Sequence, residues 1–282
     1  MKIQTVETKN MIVKSNLPAS DYVINPYVGC SHRCRYCYAS FMKRFTGHAE
    51  EWGSFVDIKH CPSLKPPRKI TGKTLLLSSV TDPYQPLESK YGVTGKILQR
   101  LLGTAANVEI LTKSHLVTRD INLFLQFSNI RIGISMNTLD DSFRRDMEPG
   151  ASSVAGRLKA LQQLQQAGLS TYLFVSPIFP GLSNLEQLIT EAAPYVSEIC
   201  FENLNLRGAQ KEYVLSYVKD KYASLVPLYH DIYLHHSAEY WKELEWQIQA
   251  LQTKYSVKLT NYFYHDRLKK TGKENTHEYT IS

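Results

Sequence analysis

Cys30, Cys34 and Cys37 stand in the run Cys-Ser-His-Arg-Cys-Arg-Tyr-Cys-Tyr, a CxxxCxxC spacing with an aromatic residue just before the third cysteine. Three thiolates this close in sequence can fold around one metal centre. A structural zinc ion takes four protein ligands, and His32, His48 or Cys61 would have to supply the fourth. An iron–sulfur cluster takes one thiolate per iron. Three cysteines without a fourth therefore describe a [4Fe–4S] cubane with one iron open to an outside ligand. A disulfide framework fits poorly, because five cysteines is an odd number and nothing else suggests a secreted chain.

The surrounding pattern predicts what must position such a centre. Asp21–Ile24 reads as a strand that enters the cysteine loop through Asn25-Pro26-Tyr27-Val28-Gly29, where Pro26 and Gly29 break regular structure. Phe45 to Pro67 reads as an irregular excursion with no domain of its own. From Thr74 the chain becomes regular. Strands are predicted at Leu75–Val80, Val108–Thr112, Ile130–Met136, Thr171–Val175 and Val196–Phe201. Helices are predicted at Val93–Ala106, Val117–Phe127 and Leu185–Ala193, with another carrying Val154, Leu158, Leu161 and Leu164 on one face and closed by Gly168. This β/α alternation argues a parallel sheet with helical crossovers. Polar residues recur at the strands' C-terminal ends, where a barrel carries its active face. About six βα units are legible, counting the strand before the cysteine loop. A further helix, Ser237–Lys254, presents Trp241, Leu244, Ile248 and Leu251 on one face, and a strand-like piece, Val257–Leu259, follows. The expected organisation is an N-terminal segment (1–19), a core (20–205) and a C-terminal extension (206–282).

The 282 residues suffice for one domain of the barrel type, and 43% hydrophobic content excludes global disorder. No stretch approaches the ~18 consecutive apolar residues of a membrane span, and Met1 to Lys14 lacks a signal peptide's apolar run. The expectation is a cytoplasmic protein with no membrane partner, in a reducing compartment. Formal net charge is +7. Arg33 to Lys69 holds eight Lys/Arg against three Asp/Glu, and Lys254 to the end six against three. The first cluster lies on and after the cysteine loop, which suits a polyanionic substrate such as nucleic acid. A solvated basic surface with no partner is the plainer reading.

The cysteine run resembles the cluster loop of the radical S-adenosylmethionine (SAM) enzymes. Further segments are similar to one branch of them, the spore photoproduct lyase-like proteins. These are Asn25-Pro26-Tyr27-x-Gly29-Cys30, Phe55-Val56-x-Ile58-Lys59, Thr81-Asp82-Pro83-Tyr84-Gln85-Pro86-Leu87-Glu88, Thr112-Lys113-Ser114, Met147-Glu148-Pro149, Arg157 and Ser176-Pro177-Ile178-x-Pro180-Gly181. The resemblance runs in order from about Asn25 to Asn184. It implies an α/β fold, a partial (β/α)6 barrel of the radical SAM type with a C-terminal helical extension. It implies a [4Fe–4S] cluster on Cys30, Cys34 and Cys37, whose open iron binds SAM, and an outside electron donor such as flavodoxin or ferredoxin. Carried over by position, Tyr36 lies near the adenine and Thr81 and Asp82 near the methionine amino group. Lys113 contacts the methionine carboxylate, and Ser135 and Asn137 touch the ribose or the methionine. Arg157 either reaches that carboxylate or braces Glu148.

One departure stands out. Spore photoproduct lyase uses a cysteine beside the threonine–aspartate segment to return a hydrogen atom to its product, and Ser78-Ser79-Val80-Thr81-Asp82 contains none. Tyr38 matches a tyrosine linked to that transfer. Cys200, near the end of the sixth strand, is either a substitute thiol donor or a buried core cysteine. Two other functions remain open: radical modification of a protein, peptide or small metabolite, and a non-catalytic zinc- or cluster-bearing nucleic-acid-binding protein. A binder has no need for Lys113, Ser135 and Asn137 to converge on the cysteine loop.

Overall fold

The computed structural model describes residues 1–17, 20–67 and 69–263. Its strands are β1 (Lys2–Glu7), β2 (Ile12–Lys14), β3 (Tyr22–Ile24), β4 (Tyr27–Val28), β5 (Phe55–His60), β6 (Thr74–Leu77), β7 (Asn107–Thr112), β8 (Ile130–Ser135), β9 (Ser170–Ile178), β10 (Glu198–Asn203) and β11 (Lys258–Asn261). The large sheet has the order β11-β10-β9-β8-β7-β6-β3-β2. From β3 to β11 every pairing is parallel, and only the edge strand β2 is antiparallel. The strands β3, β6, β7, β8, β9 and β10 are the six of the expected partial (β/α) barrel. The sheet's two edges, β2 and β11, do not pair with each other, so the barrel stays open.

The helices are α1 (Glu88–Tyr91), α2 (Val93–Leu101), α3 (Ile121–Phe124), α4 (Asp141–Met147), α5 (Val154–Gln166), α6 (Leu185–Ala192), α7 (Gly208–Lys221), α8 (Val226–Tyr233) and α9 (Glu239–Lys254). Side-chain caps start three of them. Asp140 accepts from the Ser142 and Phe143 amides, Ser153 from Gly156, and Asn184 from Gln187. Strand alternation sorts side chains between two faces. Val108, Ile110, Ile132, Ile134, Leu173, Val175, Ile199 and Phe201 join Leu161, Leu164, Leu188 and Ile189 of the helices in one buried core. The residues between them, including Glu109, Arg131, Tyr172, Phe174, Cys200 and Glu202, line a cavity inside the sheet's curve. Helices α7 to α9 and strand β11 form the C-terminal extension.

The structure corrects several expectations. The stretch Phe45–Pro67, read as irregular, contains β5, which pairs parallel with β1 and antiparallel with β4. Phe55, Val56, Asp57 and Ile58 are all buried there, so polarity does not alternate along the strand. The helix expected at Val117–Phe127 is a 3-10 turn, His115–Asp120, followed by the short α3; its Thr, Asp and Asn residues are weak helix formers. The helix from Val93 stops at Leu101, just before Gly103 takes φ +75°. Helices α4, α7 and α8 were not anticipated. Pro18 and Ala19, Arg68 of the first basic run, and the basic tail beyond Phe263 lie outside the described residues.

Candidate active site

Strands β6 to β10 deliver polar residues to one rim, and the cysteine loop closes over that rim. Four contacts fix the loop. Ser31 N–H donates to Gln85 Oε1 (2.8 Å), and Thr81 Oγ1 donates to the Gly29 carbonyl (2.6 Å). Gly150 N–H donates to the His32 carbonyl, and Arg35 N–H to the Met147 carbonyl, each at 2.9 Å. Two glycines make the approach possible. A Cβ on Gly29 would lie 2.4 Å from the Phe55 carbonyl oxygen, and one on Gly150 2.2 Å from that of Ser31. Gly29 also takes φ +84°, a region other residues rarely adopt.

Cys30, Cys34 and Cys37 are free thiols, half buried, and all three face the cavity. Burial pushes the Cys34 thiol well up, with Glu148 adding repulsion, and pushes Cys37 up to about 11, with Cys30 adding to it. A cationic centre between them would hold them as thiolates. Zinc fits this geometry poorly. A zinc ion gathers its ligands within roughly 2.3 Å of one point, and among the described residues no three His, Cys, Asp or Glu gather that way. Two of the proposed fourth ligands, His48 and Cys61, are engaged elsewhere. His48 Nε2 lies 2.8 Å from Asp57 and its ring stacks on Phe55, Cys61 Sγ lies 3.7 Å from the Lys9 carbonyl, and His32 Nδ1 is 3.3 Å from Asp82. A cubane gives each thiolate its own iron and so holds the sulfurs farther apart than zinc does.

Beside the loop, Lys113 Nζ donates to Ser135 Oγ (2.5 Å) and the Ser176 carbonyl (3.2 Å), lies 3.6 Å from Glu148, and sits 5.9 Å from the centre of the Tyr36 ring. Asn137 Nδ2 donates to the Tyr36 hydroxyl (3.3 Å), while Asn137 Oδ1 is buried without a partner. Glu148 is fully buried and receives the Tyr36 hydroxyl and one Arg157 nitrogen. Arg157 spends its other donors on the Ser152 (3.0 Å) and Ser135 (2.9 Å) carbonyls. Of the two roles the sequence left open for Arg157, the pairing with Glu148 is the one present in this structure. Burial alone would raise the Glu148 carboxyl, but Arg157, Lys113 and Tyr36 hold it down at about 2.

Asp82 accepts from the Tyr84 amide (2.8 Å), the Thr112 hydroxyl (2.6 Å) and the Lys113 amide (2.8 Å). His32, which the sequence offered only as a zinc ligand, faces it. Burial would lower that imidazole, but Asp82 and Cys30 raise it to about 10. Tyr38, 56% exposed, donates its hydroxyl to the Ser79 carbonyl, at the segment that lacks the family's cysteine. Just before it, Ser78 takes φ +73° and its Oγ is buried without a partner. Cys200 is only 3% exposed yet faces the cavity, and burial pushes its thiol up to about 12. Gln85 and Glu148 carry weight here that their motifs alone did not assign. The cavity, about 360 Å³, thus joins the cysteine loop, Lys113, Ser135, Thr81, Asp82, Tyr36, Tyr38 and Cys200; Asn137 and Arg157 stand behind its wall.

The site is thus an open parallel α/β barrel with three free cysteines on a loop at its strand ends and a lysine beside them. The profile of the radical SAM superfamily matches residues 24–190. The chain belongs to that superfamily, and it is a radical SAM enzyme. It is 38% identical over 212 residues to an uncharacterised protein of Methanocaldococcus jannaschii, covering 75% of this chain and 81% of that one. It is 30% identical over 220 residues to an uncharacterised protein of Acidianus two-tailed virus, covering 71% and 72%. The fold is similar to that of a spore photoproduct lyase mutant with dinucleoside spore photoproduct. The TM-score is 0.56 at 18% identity over 78% of this chain, which spans 65% of the lyase chain. No helix among the described residues is long and apolar enough to cross a membrane.

Proposed function

We propose that Cys30, Cys34 and Cys37 hold one [4Fe–4S] cluster and that SAM binds between it and Lys113. Reductive cleavage of SAM there supplies a 5′-deoxyadenosyl radical, which abstracts hydrogen from a substrate entering the open barrel. The observation that carries this reading is the convergence of Lys113 and Ser135 on the cysteine loop, which a binding protein has no use for; Asn137, expected with them, reaches the loop only through the Tyr36 hydroxyl, behind the cavity wall. Lys113 and Arg157 against the single Glu148 leave one net positive charge, suited to the methionine carboxylate. Arg157 and Glu148 orient Tyr36 for the adenine. Ser135 and Asn137 offer hydrogen bonds to the ribose or the methionine, and Thr81 and Asp82 lie where the amino group would reach. Tyr38 and Cys200, both facing the cavity, are the candidates for returning a hydrogen atom to the product radical.

Nucleic acid is the substrate class the surface favours. Arg33 to Ala49 holds four Lys/Arg and no Asp/Glu. Within it Phe41 and Phe45 are exposed, and the Arg44 guanidinium lies 5.6 and 4.7 Å from their ring centres. Arg35 covers the exposed ring of Tyr213 at 5.3 Å. Cations interleaved with exposed aromatic rings suit phosphates and unstacked bases. The similar lyase structure with its dinucleoside photoproduct supports the same class. Anaerobic reconstitution tests the reading: about four irons per chain and slow release of 5′-deoxyadenosine from SAM on reduction, both lost in Cys34→Ala. Tight binding of one zinc without iron–sulfur absorbance refutes it.

A further inference from the structure

We propose that Gln85 holds Cys30 in register with Asp82, so that the cysteine loop and the SAM site form one rigid unit, and that Gln85 is thereby a positioning residue for SAM cleavage. The inference deepens the cluster and SAM reading above and rests on it. Thr81 and Asp82 line the cavity, but no residue from Pro83 to Glu88 does. That half of the segment acts on the site from behind.

Gln85 is fully buried. Its Oε1 accepts from the Ser31 N–H at 2.8 Å. A backbone N–H can only donate, so this contact fixes the orientation of the side-chain amide, with Nε2 turned the other way. Nε2 donates to Thr81 Oγ1 (3.2 Å) and reaches the Gly29 carbonyl (3.5 Å). Thr81 Oγ1 donates to that same carbonyl at 2.6 Å. One side chain thus grips the backbone on both sides of Cys30, at Gly29 and at Ser31.

The grip is anchored on Asp82. The Gln85 amide donates to the Asp82 carbonyl (3.4 Å), and the Asp82 carboxylate accepts from the amides of Tyr84 and Lys113, each at 2.8 Å. Downstream, the Gln85 carbonyl accepts from the Glu88 amide at 2.8 Å. Glu88 is fully buried and receives the Tyr27 hydroxyl and one Arg119 nitrogen (2.8 Å). An apolar side chain of the same length would fill the space. It would leave the Ser31 N–H buried without its acceptor, a costlier state than the lost bond alone, and the loop around Cys30 would shift to relieve it.

The test is Gln85→Met in anaerobically reconstituted protein, which keeps the length of the side chain and removes both amide groups. Iron content should match the wild type, because all three cysteines remain. SAM affinity should fall by about 10- to 100-fold, the range for groups that orient metal ligands from behind. The change that SAM makes in the electron paramagnetic resonance spectrum of the reduced cluster should shrink with it. Wild-type affinity and an unchanged spectrum overturn the inference. A second measurement needs no variant and decides alone if Gln85→Met does not take up iron. Hydrogen exchange of the reconstituted wild type, with and without SAM, is read in peptides covering residues 29–38 and 84–91. SAM should slow exchange in both, although the second lines no part of the cavity. Slowing confined to the cysteine loop overturns the inference. Failure of the wild type to take up iron or to bind SAM is a different outcome: it removes the reading of the site itself, and this inference with it.

Discussion

Glu148→Gln isolates the charge at the centre of the site. The carboxylate is fully buried, and its protonation is displaced from 4.5 to about 2 by Arg157, Lys113 and Tyr36 against the opposing effect of burial. At 1.36 kcal/mol per pKa unit this is about 3 kcal/mol of stability at neutral pH. That agrees with the roughly 3–5 kcal/mol expected when one partner of a buried pair is removed. The sign follows from the depressed folded-state value. The contribution is complete above the unfolded pKa of about 4.5 and is lost as pH falls toward about 2. The assay is urea unfolding of the metal-free protein in reducing buffer, which keeps loss of a cluster out of the curve. The variant should be less stable by about 3 kcal/mol at pH 7, and by about half that at pH 3. A gap that does not narrow on acidification refutes the reasoning, because the lost stability then comes from packing rather than charge.

Lys113→Ala should weaken SAM binding by about 10- to 100-fold, the worth of a charge-assisted hydrogen bond, with iron content unchanged; normal affinity by calorimetry removes Lys113 from the site. Gly150→Ala should cost iron, because its Cβ would meet the Ser31 carbonyl at 2.2 Å and push the cysteine loop aside; full iron incorporation counters that. Phe45→Ala should lower affinity for a labelled single-stranded oligonucleotide by about 10-fold, from one stacking contact, and affinity should fall with salt. No binding at low salt favours a peptide or metabolite substrate instead. The chain should give little clean repair of a thymine photoproduct dinucleotide, because no cysteine lies between Ser78 and Asp82. Efficient turnover to thymines refutes this, and aberrant adducts from Cys200→Ala would then name Cys200 as the donor.

The barrel was legible because its strands are continuous apolar runs that end in polar residues, and the cysteine loop because thiol spacing carries its own chemistry. Other features depend on contacts distant in sequence. β5 escaped notice because all of Phe55 to Ile58 is buried, so no alternation marks it. The partner of Arg157 was undecidable because Glu148 and the expected carboxylate of SAM offer it the same charge.

Cys200 shows where a sequence reading divides. A parallel strand in a barrel is buried on both faces, so burial alone does not separate a core cysteine from one facing the cavity. Parity does. Ile199 and Phe201 enter the apolar core, which leaves Glu198, Cys200 and Glu202 on the inner face. The pattern Glu-x-Cys-x-Glu already carried that information, because an apolar core does not accept two carboxylates two residues to either side of a thiol. The same parity places Glu109, Arg131 and Tyr172 inside. There Arg131 pairs with Glu198 and lies 4.2 Å from the centre of the Tyr172 ring. The cavity floor is therefore charged and internally paired.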